Sequence, residues 1–439
     1  MLATTFNTSP AWRIVHVFSL VVAALLILST LGSLASPSLN FPWQTPSRTR
    51  TGSGSDYHQL AYFALQKVLD DAQPIFGHGS SLLASPYAPE PATATWMKAY
   101  HDETKVVHLN LPGAHDAATW NYSHATQDAL DYVNGLANIS AVEPANYKCQ
   151  SRSIIQMLTA GIRVFDLRYA FDVTRTALVF WHGDALQSET ATVEDVMYAF
   201  YAWLDLHPSE ALFLSFQHEG GDNDMQTQLS LHEILSSHAA KQYIVQSRGE
   251  LGTLKQARGK ITLLKRFDLD SLPEEYEKSL PGLHFSPLKW TVNGADIELI
   301  YNSSTDATAY IEDYYYPLTE IGSTAATNIR WKMNATEAHI HRAASAVHEE
   351  SLFWGFASST KTNNEPPDTP AIQALGNGTL TPKGGVNAQL VNVLKKMQGK
   401  RLGMMMFDFF EEPEDLVPLY LSLLSPDEAR DYSRIMTDV

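Results

Sequence analysis

Two histidines, each closing an apolar run, are where this sequence could move protons. The first lies in Leu109-Asn-Leu-Pro-Gly-Ala-His-Asp-Ala-Ala-Thr119. Val106–Leu111 reads as a strand. Pro112 lacks the ladder donor and Gly113 permits unusual dihedrals, so the pair closes that strand and leaves His115 and Asp116 just past its carboxyl end. An imidazole exchanges protons near neutral pH, and a neighbouring carboxylate fixes its tautomer or that of another His. The second is His182 in Phe180-Trp181-His182-Gly183, where Gly183 lets a ligand approach.

Charged partners recur at other strand ends. In Gly161–Tyr169, side-chain alternation puts Val164, Asp166 and Arg168 on one face. A carboxylate and a guanidinium in one interior are costly unless paired or used. Arg168 is therefore half of a buried ion pair, or a planar fork aimed at a phosphate. Two imidazoles and a guanidinium at separate strand ends fit acid–base attack at phosphorus. The run Arg258–Phe267 ends in Lys265 and Arg266, which face opposite ways; Arg266 is assigned to the mouth. Asp313 and Tyr315 share a face, offering a carboxylate for sugar hydroxyls and an aromatic plate for a ring. Trp290 is a further flat surface, or simply core. Asp408 ends Gly403–Phe409, where a carboxylate is costly unless a group such as His115 accepts it.

The predicted strands are Val106–Leu111, Gly161–Tyr169, Ala177–Trp181, Ala211–Phe216, Lys260–Lys265, Tyr310–Tyr315, Ser351–Ala357 and Leu402–Phe407. Helical spacing marks Val193–Leu206, Gln226–Val245, Ala335–His348 and Val386–Met397 between them. About eight such units over roughly 330 residues predict an α/β chain with a parallel sheet closed into a (β/α) barrel. The barrel domain is expected to fill 55–439, with its core over 105–425. Asn121–Lys148 reads as an insertion and Glu365–Pro382 as a surface loop.

The net charge of −17 over 439 residues leaves no broad basic surface to replace phosphate counterions, which excludes a nucleic-acid binder. A local cationic cleft is compatible with that charge. The lone Cys149 permits no intrachain disulfide and no Cys-rich zinc site, and reads as a structural thiol. Residues 1–35 hold a hydrophobic helix, uncharged over 18–35, that serves as a signal peptide or a signal anchor. Residues 36–54 read as a flexible linker. Acceptor sequons at Asn121, Asn138, Asn302, Asn334 and Asn377 support a secretory route, with the protein extracellular or anchored to a membrane.

In order, Leu-Pro-Gly-Ala-His-Asp, Gly-Ile-Arg-Val-Phe-Asp-Leu-Arg, Trp-His-Gly, Arg-Gly-Lys-Ile-Thr-Leu-Leu-Lys-Arg-Phe, Ile-Glu-Asp-Tyr-Tyr and Met-Phe-Asp-Phe resemble the phosphatidylinositol-specific phospholipase C family. The likeness is to its bacterial, metal-independent type within the PLC-like phosphodiesterases, over about residues 105–425. It implies a distorted TIM barrel that yields cyclic inositol phosphate and diacylglycerol. His115 would be the general base, held by Asp408, and His182 the general acid, partnered by Asp116. Arg168 would bind the phosphate in the place of the calcium used by eukaryotic relatives, with Asp166 supporting it. Arg266, Asp313, Tyr315 and, more weakly, Trp290 fall where the family recognises the inositol ring. Gln217 or His218 stands where bacterial enzymes carry a basic ring-contacting residue. The implied partner is a phosphoinositide-type lipid at a membrane surface, with no cofactor, and the protein is expected to be a monomer. Two alternatives stand beside this reading. One is a metal-dependent glycerophosphodiesterase, which would need Ca2+ or Mg2+ held by carboxylates beside His115. The other is a non-catalytic lipid- or glycan-binding barrel. Arg168→Ala is expected to lower turnover much more than folding stability.

Overall fold

The inward-facing positions of successive strands explain how the sequence builds its site. The computed structural model describes residues 55–83, 90–136, 139 and 142–432, and side chains from residue 59 onward. The apolar segment over 1–35, the linker over 36–54 and Asn138 lie outside the described residues. Among the described residues no helix is long and apolar enough to cross a membrane. The described residues from Gln59 onward form one compact unit.

The strands are β1 (Leu111–Ala114), β2 (Val164–Phe171), β3 (Leu178–His182), β4 (Ala185–Leu186), β5 (Ala211–His218), β6 (Lys260–Arg266), β7 (Leu283–His284), β8 (Ile297–Asn302), β9 (Ala307–Glu312), β10 (Leu352–Phe356) and β11 (Met404–Phe407). Their order in the sheet is β7-β6-β5-β2-β1-β11-β10-β9-β8. Every pairing from β7 through to β9 is parallel, and β8 folds back antiparallel on β9. Eight parallel staves thus follow one another in chain order around a nearly closed α/β barrel, open between β7 and the β8–β9 hairpin. Helices α1 (Val193–Leu206), α2 (Ala325–Ala343) and α3 (Val386–Leu394) lie on crossovers between staves, as parallel pairing requires.

A period of two sorts the core into shells. Phe165, Leu167, Leu212, Leu214, Leu263, Met405 and Phe407 pack outward against the helices. Leu111, Val164, Phe213, Leu264, Ile311, Trp354, Met404 and Met406 fill the barrel interior. On β10 the inward position stays apolar at Phe356; further along most of the other strands it turns polar. This places His115, Asp166 then Arg168, Gln217, Arg266, Asp313 and Asp408 in the upper layers of one barrel.

Several expectations are corrected. Val106–His108 is a 3-10 turn, and the first stave is Leu-Pro-Gly-Ala itself. Pro112 is tolerated there because pairing with β2 begins only at Gly113 opposite Val164, and Pro112 O accepts from Arg163 N at 2.9 Å. Gly113 is required by close approach, since a Cβ would lie 2.4 Å from Met406 Sδ. The run Ala177–Trp181 forms β3, but as an antiparallel hairpin arm on β2, not a stave. The missing stave is β7, whose two residues carry no readable period. Gln226–Val245 divides into Met225–Ser236 and His238–Tyr243, because the Ser237 side chain caps a fresh start at Ala240 N. β9 ends at Glu312, so Asp313 and Tyr315 lie just beyond it. Glu365–Pro382 contains a helix, Pro370–Leu375, tied down by buried Asp368, which accepts from Asn328 and Gln373.

Candidate active site

A cavity of about 610 Å³ opens at the carboxyl ends of the staves, lined by His115, Arg168, His182, Gln217, Arg266, Trp290, Asp313, Tyr315 and Asp408 among others. This is the end of such a barrel where ligands bind.

His115 follows β1 directly, and its backbone N–H donates to Phe407 O at 3.0 Å. The Gln150 amide donates to both His115 O and Phe407 O, locking the ends of β1 and β11 together. The ring is held from two sides: Nδ1 is 2.8 Å from Asp408 Oδ1, and Nε2 is 2.7 Å from Arg168 Nη2. A carboxylate accepts and a guanidinium donates. The ring must therefore carry its hydrogen on Nδ1 and offer a lone pair at Nε2, the tautomer a general base needs. Burial raises the Asp408 carboxyl above its ordinary value, against the pull of His115. Asn387 donates to Asp408 O and Phe409 O, fixing the loop that carries the carboxylate.

His182 ends β3, and its Nδ1 lies 2.7 Å from Tyr147 O and 2.9 Å from Asp116 Oδ2. Asp116 reaches beneath it because its backbone is left-handed, with φ 42°. Burial disfavours the imidazolium, but Asp116 outweighs it and raises the His182 pKa. The two imidazoles face each other with centroids 6.3 Å apart and planes at 89°.

Arg168 stands between them, ringed by carboxylates: Asp166 at 3.1 Å, Glu219 at 2.7 Å and Asp116 at 3.6 Å. Burial opposes its charge, but Asp166, Glu219 and Asp116 hold it protonated even more firmly than usual. Burial likewise opposes ionising Asp166, yet Arg168, Arg266 and His115 bring that carboxyl down to about 2. Asp166 is fully buried and accepts from Asp116 N at 3.2 Å. From there it positions Arg168 and the Asp116 loop.

On the far wall Arg266 lies 3.8 Å above the Trp290 ring, and Asp313 Oδ2 accepts from Trp290 Nε1 at 2.7 Å. Trp290 thus serves as a platform for Arg266. Arg266 Nη1 is buried and has no hydrogen-bond partner among the described residues. Lys265 points the other way, as strand alternation demands, and burial lowers its pKa to about 8. Tyr315 stands at the mouth, 37% exposed.

Sequence reasoning missed Glu219. It binds Arg168 and also accepts from Gly183 N at 2.7 Å, linking the phosphate-side cation to the His182 turn. It lies one residue past β5, where alternation no longer tells which way a side chain points. Gln217 and His218 do line the cavity, and Gln217 donates to Glu219. The insertion Asn121–Lys148 contributes Tyr147, whose carbonyl fixes His182.

The sequence profile described as "Phosphatidylinositol-specific phospholipase C, X domain" matches residues 133–267, which carry Arg168, His182, Glu219 and Arg266. PI-PLC X domain-containing protein 1 of Homo sapiens is 29% identical over 205 residues, 42% of this chain and 60% of that protein. The 1-phosphatidylinositol phosphodiesterase of Listeria monocytogenes is 26% identical over 175 residues, 39% of this chain and 48% of that protein. The chain therefore spans about half the length of the curated relatives it matches. In fold, it is similar to the phosphatidylinositol-specific phospholipases C of Staphylococcus aureus (TM-score 0.57, 16% identity, 76% of this chain and 98% of that one) and of Listeria monocytogenes (0.52, 20%, 75% and 98%).

Proposed function

We propose that this chain, a member of the PLC-like phosphodiesterase superfamily whose X-domain segment supplies the staves β2, β5 and β6, cleaves phosphatidylinositol, or a glycosylated relative, by acid–base catalysis without a metal. The observation that carries this is the pair of imidazoles, each tied at Nδ1 and 6.3 Å apart, with Arg168 between them. His115 Nε2 takes the proton of the inositol 2-hydroxyl as that oxygen attacks phosphorus. The bond to the diacylglycerol oxygen breaks, and His182 gives that oxygen its proton. An internal hydroxyl needs no activated water, because the reacting groups are already in one molecule. In the free enzyme Arg168 Nη2 occupies the lone pair of His115. A substrate phosphate that draws this donor to itself frees the base and neutralises the charge at phosphorus together.

Two further features support the reading. Asp116, Asp166 and Glu219, the carboxylates that a cation-dependent relative would need, surround a guanidinium instead. At the mouth, Leu288 and Val292 are 90% and 78% exposed, an apolar rim suited to a lipid surface.

Incubating the purified full chain with phosphatidylinositol vesicles, with and without chelator, tests the proposal. Cyclic inositol phosphate should appear at a rate the chelator does not reduce. Loss of turnover with chelator favours the glycerophosphodiesterase, and no cleavage of any phosphodiester favours the binding barrel. A pH profile tests the acid. His182 must be protonated to act, and its raised pKa keeps it so at higher pH. The alkaline limb of kcat/KM should therefore lie above the ordinary imidazole value and move down in Asp116→Asn. A limb that stays in place removes Asp116 from this role.

A further inference from the structure

The cavity floor holds a set of ligating atoms that proton transfer does not fully use. Asp116, Cys149 and His182 each place one such atom within 4.8 Å of the others. Cys149 Sγ lies 4.0 Å from His182 Nδ1 and 3.7 Å from Tyr147 O, and that carbonyl is itself 2.7 Å from Nδ1. Independently of the thiol, Asp116 is fully buried and its Oδ1 receives no hydrogen bond from any described residue. Its Oδ2 sits 2.9 Å from His182 Nδ1 and 3.6 Å from Arg168 Nε, with neither contact aligned as a hydrogen bond. Buried acceptors are almost always satisfied, so an Asp116 whose Oδ2 pairs with His182 but whose Oδ1 receives no hydrogen bond from any described residue, in a group with a thiol and an imidazole nitrogen, points to a missing ligand.

We propose that Asp116, Cys149 and His182, with the Tyr147 carbonyl, form an inhibitory site for a soft divalent transition metal, zinc above all. Sulfur, nitrogen and two oxygens are a donor set zinc accepts tetrahedrally, with bonds of about 2.3 Å to sulfur and about 2.0–2.2 Å to nitrogen and oxygen. Such bonds set ligands about 3.5 Å apart; four of the six separations run from 2.7 to 4.0 Å and straddle that spacing, and Asp116 and Cys149 place ligand atoms within 4.8 Å of each other. The thiolate disfavours hard calcium and magnesium. Cys149 and His182 both line the cavity, which gives an entry route. A second group, His115, Cys149 and Asp408, shares the same sulfur, but its imidazole and carboxylate are already joined by an aligned 2.8 Å hydrogen bond.

On binding, the Cys149 thiol and the Nδ1–H of His182 each release a proton to solvent as the metal–sulfur and metal–nitrogen bonds form. Nδ1 of His182 becomes a ligand, so the ring's remaining hydrogen sits on Nε2. A ring fixed in that state no longer cycles a proton. The inhibitory effect rests on the reading of His182 as the acid; the affinity does not.

The reduced, metal-free full chain is titrated with cobalt(II) as the probe. Cys149 is the only cysteine in the sequence, so a near-ultraviolet thiolate-to-cobalt band reports this site alone. The band should saturate at one cobalt per chain and be displaced by zinc. Asp116→Asn and His182→Gln should each weaken the affinity about tenfold or more. Zinc should slow phosphatidylinositol cleavage, while Cys149→Ser keeps basal turnover and loses at least about tenfold in zinc sensitivity. Absence of the band, a band unmoved by both Asp116→Asn and His182→Gln, or unchanged zinc inhibition of Cys149→Ser overturns the proposal. If no phosphodiester is cleaved at all, the functional reading fails and the cobalt titration still decides the site.

Discussion

His115→Ala is expected to lower turnover of phosphatidylinositol by about 10²- to 10⁴-fold, the range that a positioned general base supplies. The nitrogen that would accept the proton, Nε2, faces Arg168 at 2.7 Å, and Nδ1 is committed to Asp408. Asp408→Asn should cost nearly as much, about 10³-fold, for a different reason. An amide that donates to Nδ1 forces the hydrogen onto Nε2, and the base is then in the wrong tautomer. If Asp408 acts only through His115, the double variant should be no slower than His115→Ala alone. Independent, multiplying losses would mean that Asp408 has its own contact with the reacting groups. Folding is the control. Removing His115 strips buried Asp408 of its hydrogen bond, a loss of about 1–3 kcal/mol by denaturant titration. Turnover near wild type in a folded His115→Ala would remove the base from the mechanism.

How much of this site the sequence shows follows from where each residue stands on its strand. Inside a strand the period of two is strict, so Asp166, Arg168 and Arg266 could be aimed correctly from their neighbours, and Lys265 excluded. The staves β2, β5, β6, β10 and β11 were legible for the same reason: buried on both faces, they read as continuous apolar runs. Beyond the last strand residue the chain turns and the period stops carrying information. Glu219 was lost there. The first stave was displaced by a rule that holds for strand interiors: proline and glycine interrupt a ladder. Pro112 sits where β2 has not begun to pair, and Gly113 is demanded by Met406 across the strand. The hairpin of β3 on β2 was equally invisible, since an apolar run does not reveal which way its partner runs. That hairpin brings His182 back over the barrel mouth to face His115.

Arg168 gives the second large effect, and the structure changes what its removal should do. From sequence alone, Arg168→Ala should lower turnover much more than stability. Three carboxylates now stand around that guanidinium, two of them fully buried. Taking away the shared cation leaves them uncompensated, so Arg168→Ala should lose about 3 kcal/mol of stability as well as about 10³-fold or more in turnover. The two losses are separated by Arg168→Lys. It keeps the charge near Asp166 and Glu219 but cannot present two parallel donors to a phosphate. Stability should fall by about 1 kcal/mol, while turnover still falls by about 10²- to 10³-fold. The pH dependence gives an independent check. In the native protein Asp166 is held at about 2, below its unfolded value of 3.8, so its contribution is present above that value and fades as pH falls toward 2. Without Arg168 the same buried carboxylate is driven upward instead, and acid relieves the cost of its charge. The stability gap between the native protein and Arg168→Ala should therefore narrow as pH falls from 7 to about 3. A gap that is flat in pH would mean that Asp166 does not depend on Arg168. Near-native turnover in Arg168→Lys would reduce the guanidinium to a strut among carboxylates and remove it from the chemistry.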